Sequence, residues 1–159
     1  MIRTAKPCIK FENQVSDWVQ PPLILNFSGE LKTSKDTQPM GMARFSSRIS
    51  GVAISGRMGK DDAADILSVA AQVYINGVAA LDTTPTIAYV SGEAAQYKTT
   101  QGYVEDNTAA GVTVAVIGTA CEADAGDIIS CALTTVRTAT PTTEIAHVSV
   151  MVEMTPVLP

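Results

Sequence analysis

The sequence predicts an all-β protein: an antiparallel β-sandwich of jelly-roll or Greek-key type, with about 7–9 strands and an extended N-terminal arm. Three observations predict it. Apolar residues recur with period two in runs rich in β-branched side chains. Gly, Pro and Asn punctuate those runs at short intervals. No stretch sustains a helical period beyond one ambiguous segment. The clearest run is 125–154, AGDIISCALTTVRTATPTTEIAHVSVMVEM, which reads as two long strands joined by a polar turn. In the first, Ile129, Cys131, Leu133 and Thr135 alternate with Ile128, Ser130, Ala132 and Thr134. In the second, Ala146, Val148, Val150, Val152 and Met154 form a wholly apolar face, while Ile145, His147, Ser149, Met151 and Glu153 form a mixed one. Pro141 breaks the connection, because proline cannot donate to a ladder. A strand with one wholly apolar face needs a second sheet to cover it.

The remaining elements follow in chain order. Residues 1–22 read as an arm, with scattered charges, the single Trp18 and a Pro21-Pro22 stop that favours extended chain. Trp18 anchors this arm either to its own domain or to a neighbouring subunit. Residues 23–159 form one sandwich domain. Leu23, Leu25 and Phe27 alternate with Ile24, Asn26 and Ser28, which predicts a strand over 23–31. Residues 32–41 read as a polar loop. Residues 44–55 read as one or two strands with Gly51 as a bend or bulge, and 56–64 as a loop. The strand over 65–74 runs into Asn76-Gly77, a strong hairpin signal because both residues tolerate positive φ. Abundant alanine lets a helix compete over 62–80, but Val73-Tyr74-Ile75 and the Asn-Gly turn argue against it through the second half. Short strands follow at 86–90 and 112–117, with 91–110 between them as loop plus a weak strand. Ala64-Asp-Ile-Leu-Ser-Val-Ala70 echoes Gly126-Asp-Ile-Ile-Ser-Cys-Ala132, which predicts equivalent positions for two equivalent strands.

At 159 residues the chain is long enough for one sizeable core. No apolar run reaches the roughly 20 residues of a membrane-spanning helix, so no membrane partner is expected. The basic N-terminus is followed by no apolar segment, so no signal peptide is expected. Cys8, Cys121 and Cys131 have no metal or redox spacing and read as reduced thiols of a cytosol-made protein. Charge is uneven. Residues 1–60 carry nine Lys and Arg against four acids, while the remainder carries two against twelve. Such a dipolar chain can dock its basic part on an acidic surface. The cations are dispersed and the whole chain is acidic, so no nucleic-acid partner is expected.

No catalytic constellation emerges. Asp61-Asp62-Ala63-Ala64-Asp65 has the letters of a DDxxD metal motif, but that motif works on a helix wall in a large helical protein. A loop calcium site from the same acids stays open chemically, though no EF-hand spacing is present. Gly56-Arg-Met-Gly-Lys60 lacks the glycine spacing and the Ser or Thr of a phosphate loop. His147 is the only histidine, so no paired-histidine metal site can form, and no GxSxG elbow is present. A thiol dyad of Cys121 or Cys131 with His147 is set against simple packing of a buried thiol. No cofactor and no enzyme activity are expected. Tyr97 and Tyr103 are the one plausible exposed aromatic pair.

The runs VYINGVAAL, PTIAYV and AGDIISCAL, the Thr/Pro loop and the closing apolar strand resemble the small jelly-roll proteins of tailed-phage heads, the decoration or cement proteins. The resemblance covers roughly residues 65–154 and is one of style and strand order. Tumour-necrosis-factor-like and C1q-like domains and phage fibre tips share that style. It implies a structural protein of the virion surface, a homotrimer bound to the major capsid protein and bracing the shell. The arm, with Arg3, Lys6, Lys10, Phe11 and Trp18, would then contact capsid or a sister subunit. The alternative is a carbohydrate- or receptor-binding module such as a fibre tip, with Tyr97 and Tyr103 in its ligand loop.

Overall fold

The computed structural model describes residues 20–59, 66–101, 111–137 and 145–157. Every element in them is a strand, and every pairing is antiparallel. The long strands are β1 (Leu23–Glu30), β2 (Lys35–Met42), β3 (Ser47–Met58) and β4 (Ser68–Ile75). Short ones follow: β5 (Val78–Ala79), β6 (Leu81–Thr83), β7 (Thr86–Ala88), β8 (Gln96–Thr99), β9 (Val112–Thr113), β10 (Val116–Ile117) and β11 (Glu122–Ala123). The chain closes with β12 (Ile128–Val136) and β13 (Ile145–Pro156). One sheet has the order β1-β13-β3-β11, with β8 also on β3. The other has the order β2-β12-β4-β7-β9, with β5 on β4, and β6 and β10 form a separate ribbon.

The two strands that dominate the sequence are each interior to a sheet, but to different sheets. β13 lies between β1 and β3, and β12 lies between β2 and β4. They are consecutive in the chain without being hydrogen-bonded neighbours. The reason is in their patterns. Each has one face to bury, and two such faces cover one another only from opposite layers. Val148, Val150 and Val152 of β13 and Ile129, Cys131 and Leu133 of β12 are buried, while His147, Glu153, Ile128 and Thr134 are exposed. Full burial of each valine stabilises the fold by about 1.5–3 kcal/mol relative to exposure.

The sequence echo has a structural counterpart. β4 and β12 pair side by side over eight residues, from Ile129↔Ile75 to Val136↔Ser68. Matching positions have matching burial except at Ser68, half-buried where Ser130 is buried. Leu67 and Ile129 are buried, as are Val69 and Cys131, whereas Ile66 and Ile128 are exposed. The Asn76-Gly77 hairpin forms as predicted, with φ of 48° and 84°, and returns the chain as β5.

Several expectations need correction. Residues 35–42, predicted as loop, form β2. It is an edge strand, almost wholly exposed, so its polar residues and Pro39 meet no packing penalty. Its register on β12 shifts twice, once beside Pro39. β3 runs on to Met58 through Gly56. An ideal Cβ at Gly56 would stand 3.2 Å from Val148 and 3.3 Å from Ile87, so the glycine lets opposite layers approach. The predicted strand at 112–117 divides into β9 on β7 and β10 on β6. The strand number, thirteen among the described residues, exceeds the expected 7–9 because two- and three-residue strands carry no periodic signal.

Candidate functional site

Among the described residues, the molecule shows no deep, chemically equipped pocket. Its most distinctive features are the outer face of the β13-centred sheet, the strand β1 at its side, and a buried ion pair between the layers.

The outer face is built from β1, β13, β3 and β8, and it mixes small residues with the larger Arg57, His147, Met151 and Glu153. Ser149 Oγ donates to Asn26 Oδ1 at 2.7 Å, and Thr99 stands opposite Ser55. Ala53 lies flush in the middle, 8% exposed. Larger apolar groups border it: Ile24 is 53% exposed and Tyr97 is 46% exposed. Tyr97 pairs with Arg57 across β8 and β3. A shallow groove of about 240 Å³ crosses the face, lined by Gly51, Ala53, Gln101, Val114, Met151 and Glu153 among others. That is below the range of about 300–1,000 Å³ in which small-molecule pockets enclose their ligands.

Among the described residues, β1 pairs with β13 alone and stands at the end of the sheet order. Its inward residues Leu23, Leu25 and Phe27 are only half-buried against the core. At its end Glu30 meets Lys32 at 3.2 Å and Arg137 at 3.1 Å. Desolvation pushes the Glu30 carboxyl up, but the hydrogen bonds and charges of Lys32 and Arg137 outweigh it and hold the group below its ordinary range.

The ion pair joins Lys98 of β8 to Glu93, in the turn after β7. Alternation along Gln96-Tyr97-Lys98-Thr99-Thr100 turns Gln96, Lys98 and Thr100 inward, and all three are buried. The Lys98 side chain has no exposed area and that of Glu93 has 8%. Lys98 Nζ donates to a Glu93 carboxylate oxygen and, at 2.8 Å, to the carbonyl of Ala88. Ala88 belongs to β7 of the opposite sheet, so the ammonium ties the layers together. The Val90 N–H donates to the same carboxylate at 3.2 Å, and Gly92 N–H donates to Tyr89 Oη at 3.2 Å. These bonds fix the 89–93 turn. Lys98 and Glu93 lie in a polar stretch, which hides them in the sequence. The available signal was the period-two alternation, with its unusual polar inner face.

Of the residues singled out in the sequence, Arg3, Lys6, Lys10, Phe11, Trp18 and Tyr103 lie outside the described residues, as do Asp61, Asp62 and Asp65. Tyr97 is exposed on the outer face of the β13-centred sheet. Among the described residues, no three His, Cys, Asp or Glu come together to hold a metal ion. The imagined thiol dyads do not form. Cys131 faces the core from the β12-centred sheet, whereas His147 is exposed on the other sheet. Burial pushes the Cys131 thiol up to about 12, away from the nucleophilic thiolate. Cys121 accepts a bond from Ile49 N–H, about 20 Å along β3 from Gly56, beside which His147 bulges. His147 itself has φ of 53° at a register shift, a left-handed position usually given to glycine.

No family model and no curated protein matches this chain.

Proposed function

We propose that the chain is a structural decoration protein of a phage head, which binds the outer surface of the shell as a homotrimer and stabilises it. The observation that carries this reading is the outer face of the β13-centred sheet. Small side chains, Ala53, Ser55, Thr99 and a Ser149 bonded to Asn26, lie along it beside exposed Ile24 and Tyr97. Such a face can meet another protein over a large area without first rearranging, which lowers the ordering cost of association. The antiparallel framework agrees with the jelly-roll style of the decoration proteins that residues 65–154 resemble. In this reading the major capsid protein is the partner, and the basic arm reaches capsid or a sister subunit.

The test is co-sedimentation with heads of the virus that carries the coding sequence. The chain is expected to saturate the heads stoichiometrically and to raise their resistance to heat. Trp18→Ala is expected to lower occupancy without unfolding the domain. Heads that neither bind the chain nor gain stability would refute the reading. The exposure of Tyr97 favours a second reading, a carbohydrate- or receptor-binding module. That reading requires glycan or host-cell binding that is lost on Tyr97→Ala/Tyr103→Ala.

A further inference from the structure

We infer that Asn76 is a latent deamidation site, which the folded chain holds shut through Asp127 and the backbone of Ile128. The chemistry is attack by a backbone nitrogen on a side-chain amide, followed by hydrolysis.

Asn76 is the one asparagine of the chain that precedes a glycine. The following residue governs this reaction, because its nitrogen is the nucleophile and its side chain is the obstacle. At Gly77 the obstacle is missing, and even an added Cβ would meet nothing within 4 Å. Both residues are exposed to water. The Gly77 nitrogen attacks Asn76 Cγ, the Cγ–Nδ2 bond breaks, and Nδ2 leaves as ammonia with the Gly77 proton. Water then opens the cyclic imide at one of its two carbonyls. One opening leaves aspartate at position 76. The other leaves isoaspartate, whose main chain runs through Cγ and is one carbon longer. The pair that supplies the positive φ angles of the hairpin, 48° and 84°, is thus also the reactive pair.

The fold restrains this chemistry through the start of β12. Asn76 Nδ2 donates to Asp127 Oδ1 at 2.7 Å, and Asn76 Oδ1 accepts from Ile128 N–H at 2.9 Å. The Asn76 N–H donates to the Ile128 carbonyl at 3.0 Å. Both ends of the amide and the backbone that carries it are therefore held by β12 and the residue before it. Asp127 is itself fixed. Its Oδ2 accepts from Asp124 N–H at 2.8 Å, its N–H donates to the Asp124 carbonyl at 3.0 Å, and its carbonyl accepts from Ala43 N–H at 2.9 Å. Attack makes the planar Cγ tetrahedral, which moves Nδ2 and Oδ1 out of line with these partners. A hydrogen bond to a carboxylate is about twice as strong as a neutral one, so the reaction waits on openings of the hairpin from β12.

Modification breaks the latch for good. The donor that faced Asp127 becomes a carboxylate, and two like charges then stand where a hydrogen bond stood. Isoaspartate adds a main-chain carbon to a two-residue turn whose length sets the register of β4 and β5. The site is a one-way switch, closed while β4 and β12 stay together.

The experiment incubates the full chain at mildly alkaline pH, folded and in urea, and follows the Asn76-Gly77 peptide by mass spectrometry. In urea that peptide should gain about 1 Da, the exchange of NH2 for OH. The folded chain should react at least about tenfold more slowly. Asp127→Ala, shown by its melting curve to be folded, should react several-fold faster than folded wild type. Asn76→Asp should exchange its 74–79 and 128–129 amides faster than wild type. Equal rates for folded and unfolded wild type, or no gain in urea, would overturn the inference. A folded Asp127→Ala chain that reacts no faster than wild type would overturn the latch. If Asp127→Ala does not fold, the two wild-type rates decide.

Discussion

Replacing Lys98 by Met removes a cation whose side chain is wholly buried and that bridges the sheets through Glu93 and the Ala88 carbonyl. Removing one member of a buried ion pair costs about 3–5 kcal/mol, because the other charge stays in the interior without its counter-charge. Domains of this kind have about 5–15 kcal/mol of total stability, so the loss is a large part of it. At about 2–4 °C per kcal/mol for a chain of this length, the melting temperature should fall by roughly 6–20 °C. Glu93→Gln should act in the same direction, since it leaves the Lys98 ammonium buried beside a neutral amide. The double variant Lys98→Met/Glu93→Gln is the informative one. With both charges gone it should be less destabilised than the two single losses added together, by about 1–3 kcal/mol. Denaturant unfolding of the four proteins measures this coupling. Single variants that each lose less than about 1 kcal/mol, or strictly additive losses, would refute the claim that the pair acts as a unit inside the core.

Three further outcomes follow from the same geometry. Cys131, buried and with its thiol raised to about 12, should resist alkylation in the native protein and react only on unfolding; half-buried Cys121 should react first, as peptide mass spectrometry would show. The lowered pKa of Glu30 contributes stability that is present above the unfolded value near 4.5 and lost as pH falls through the folded value. Glu30→Gln should therefore be less stable than wild type at neutral pH, and the gap should narrow in acid melts. At the left-handed, exposed position 147, His→Gly should be neutral or stabilising by up to about 1 kcal/mol, whereas His→Val should destabilise by about 1–2 kcal/mol. Equal melting curves for these two variants would contradict the bulge.

What the sequence made legible was the part of the fold governed by local alternation. The inward faces of β4, β12 and β13 and the Asn76-Gly77 turn could be read because each is an uninterrupted period-two or turn signal. β2 could not, because an exposed edge strand buries nothing and its Pro39 reads as loop. The assignment of β12 and β13 to opposite sheets was hidden as well, since periodicity tells which face is buried but not what covers it. Lys98 was missed for a related reason. Hydropathy scores a lysine as surface, while alternation with exposed Tyr97 turned it into the core, where Glu93 stabilises it. The His147 bulge had no local signal, because a left-handed residue other than glycine or asparagine is imposed by the neighbouring strands. On the outer face Tyr97 was legible from alternation in a polar stretch, whereas the small residues beside it come together only where β1, β3, β8 and β13 lie side by side.

The claim that this is an assembling structural protein is tested most directly by the mass of the full chain in solution. Light scattering behind size exclusion, at micromolar concentration in reducing buffer, should give three times the single-chain mass. A single-chain mass at every concentration would contradict the account.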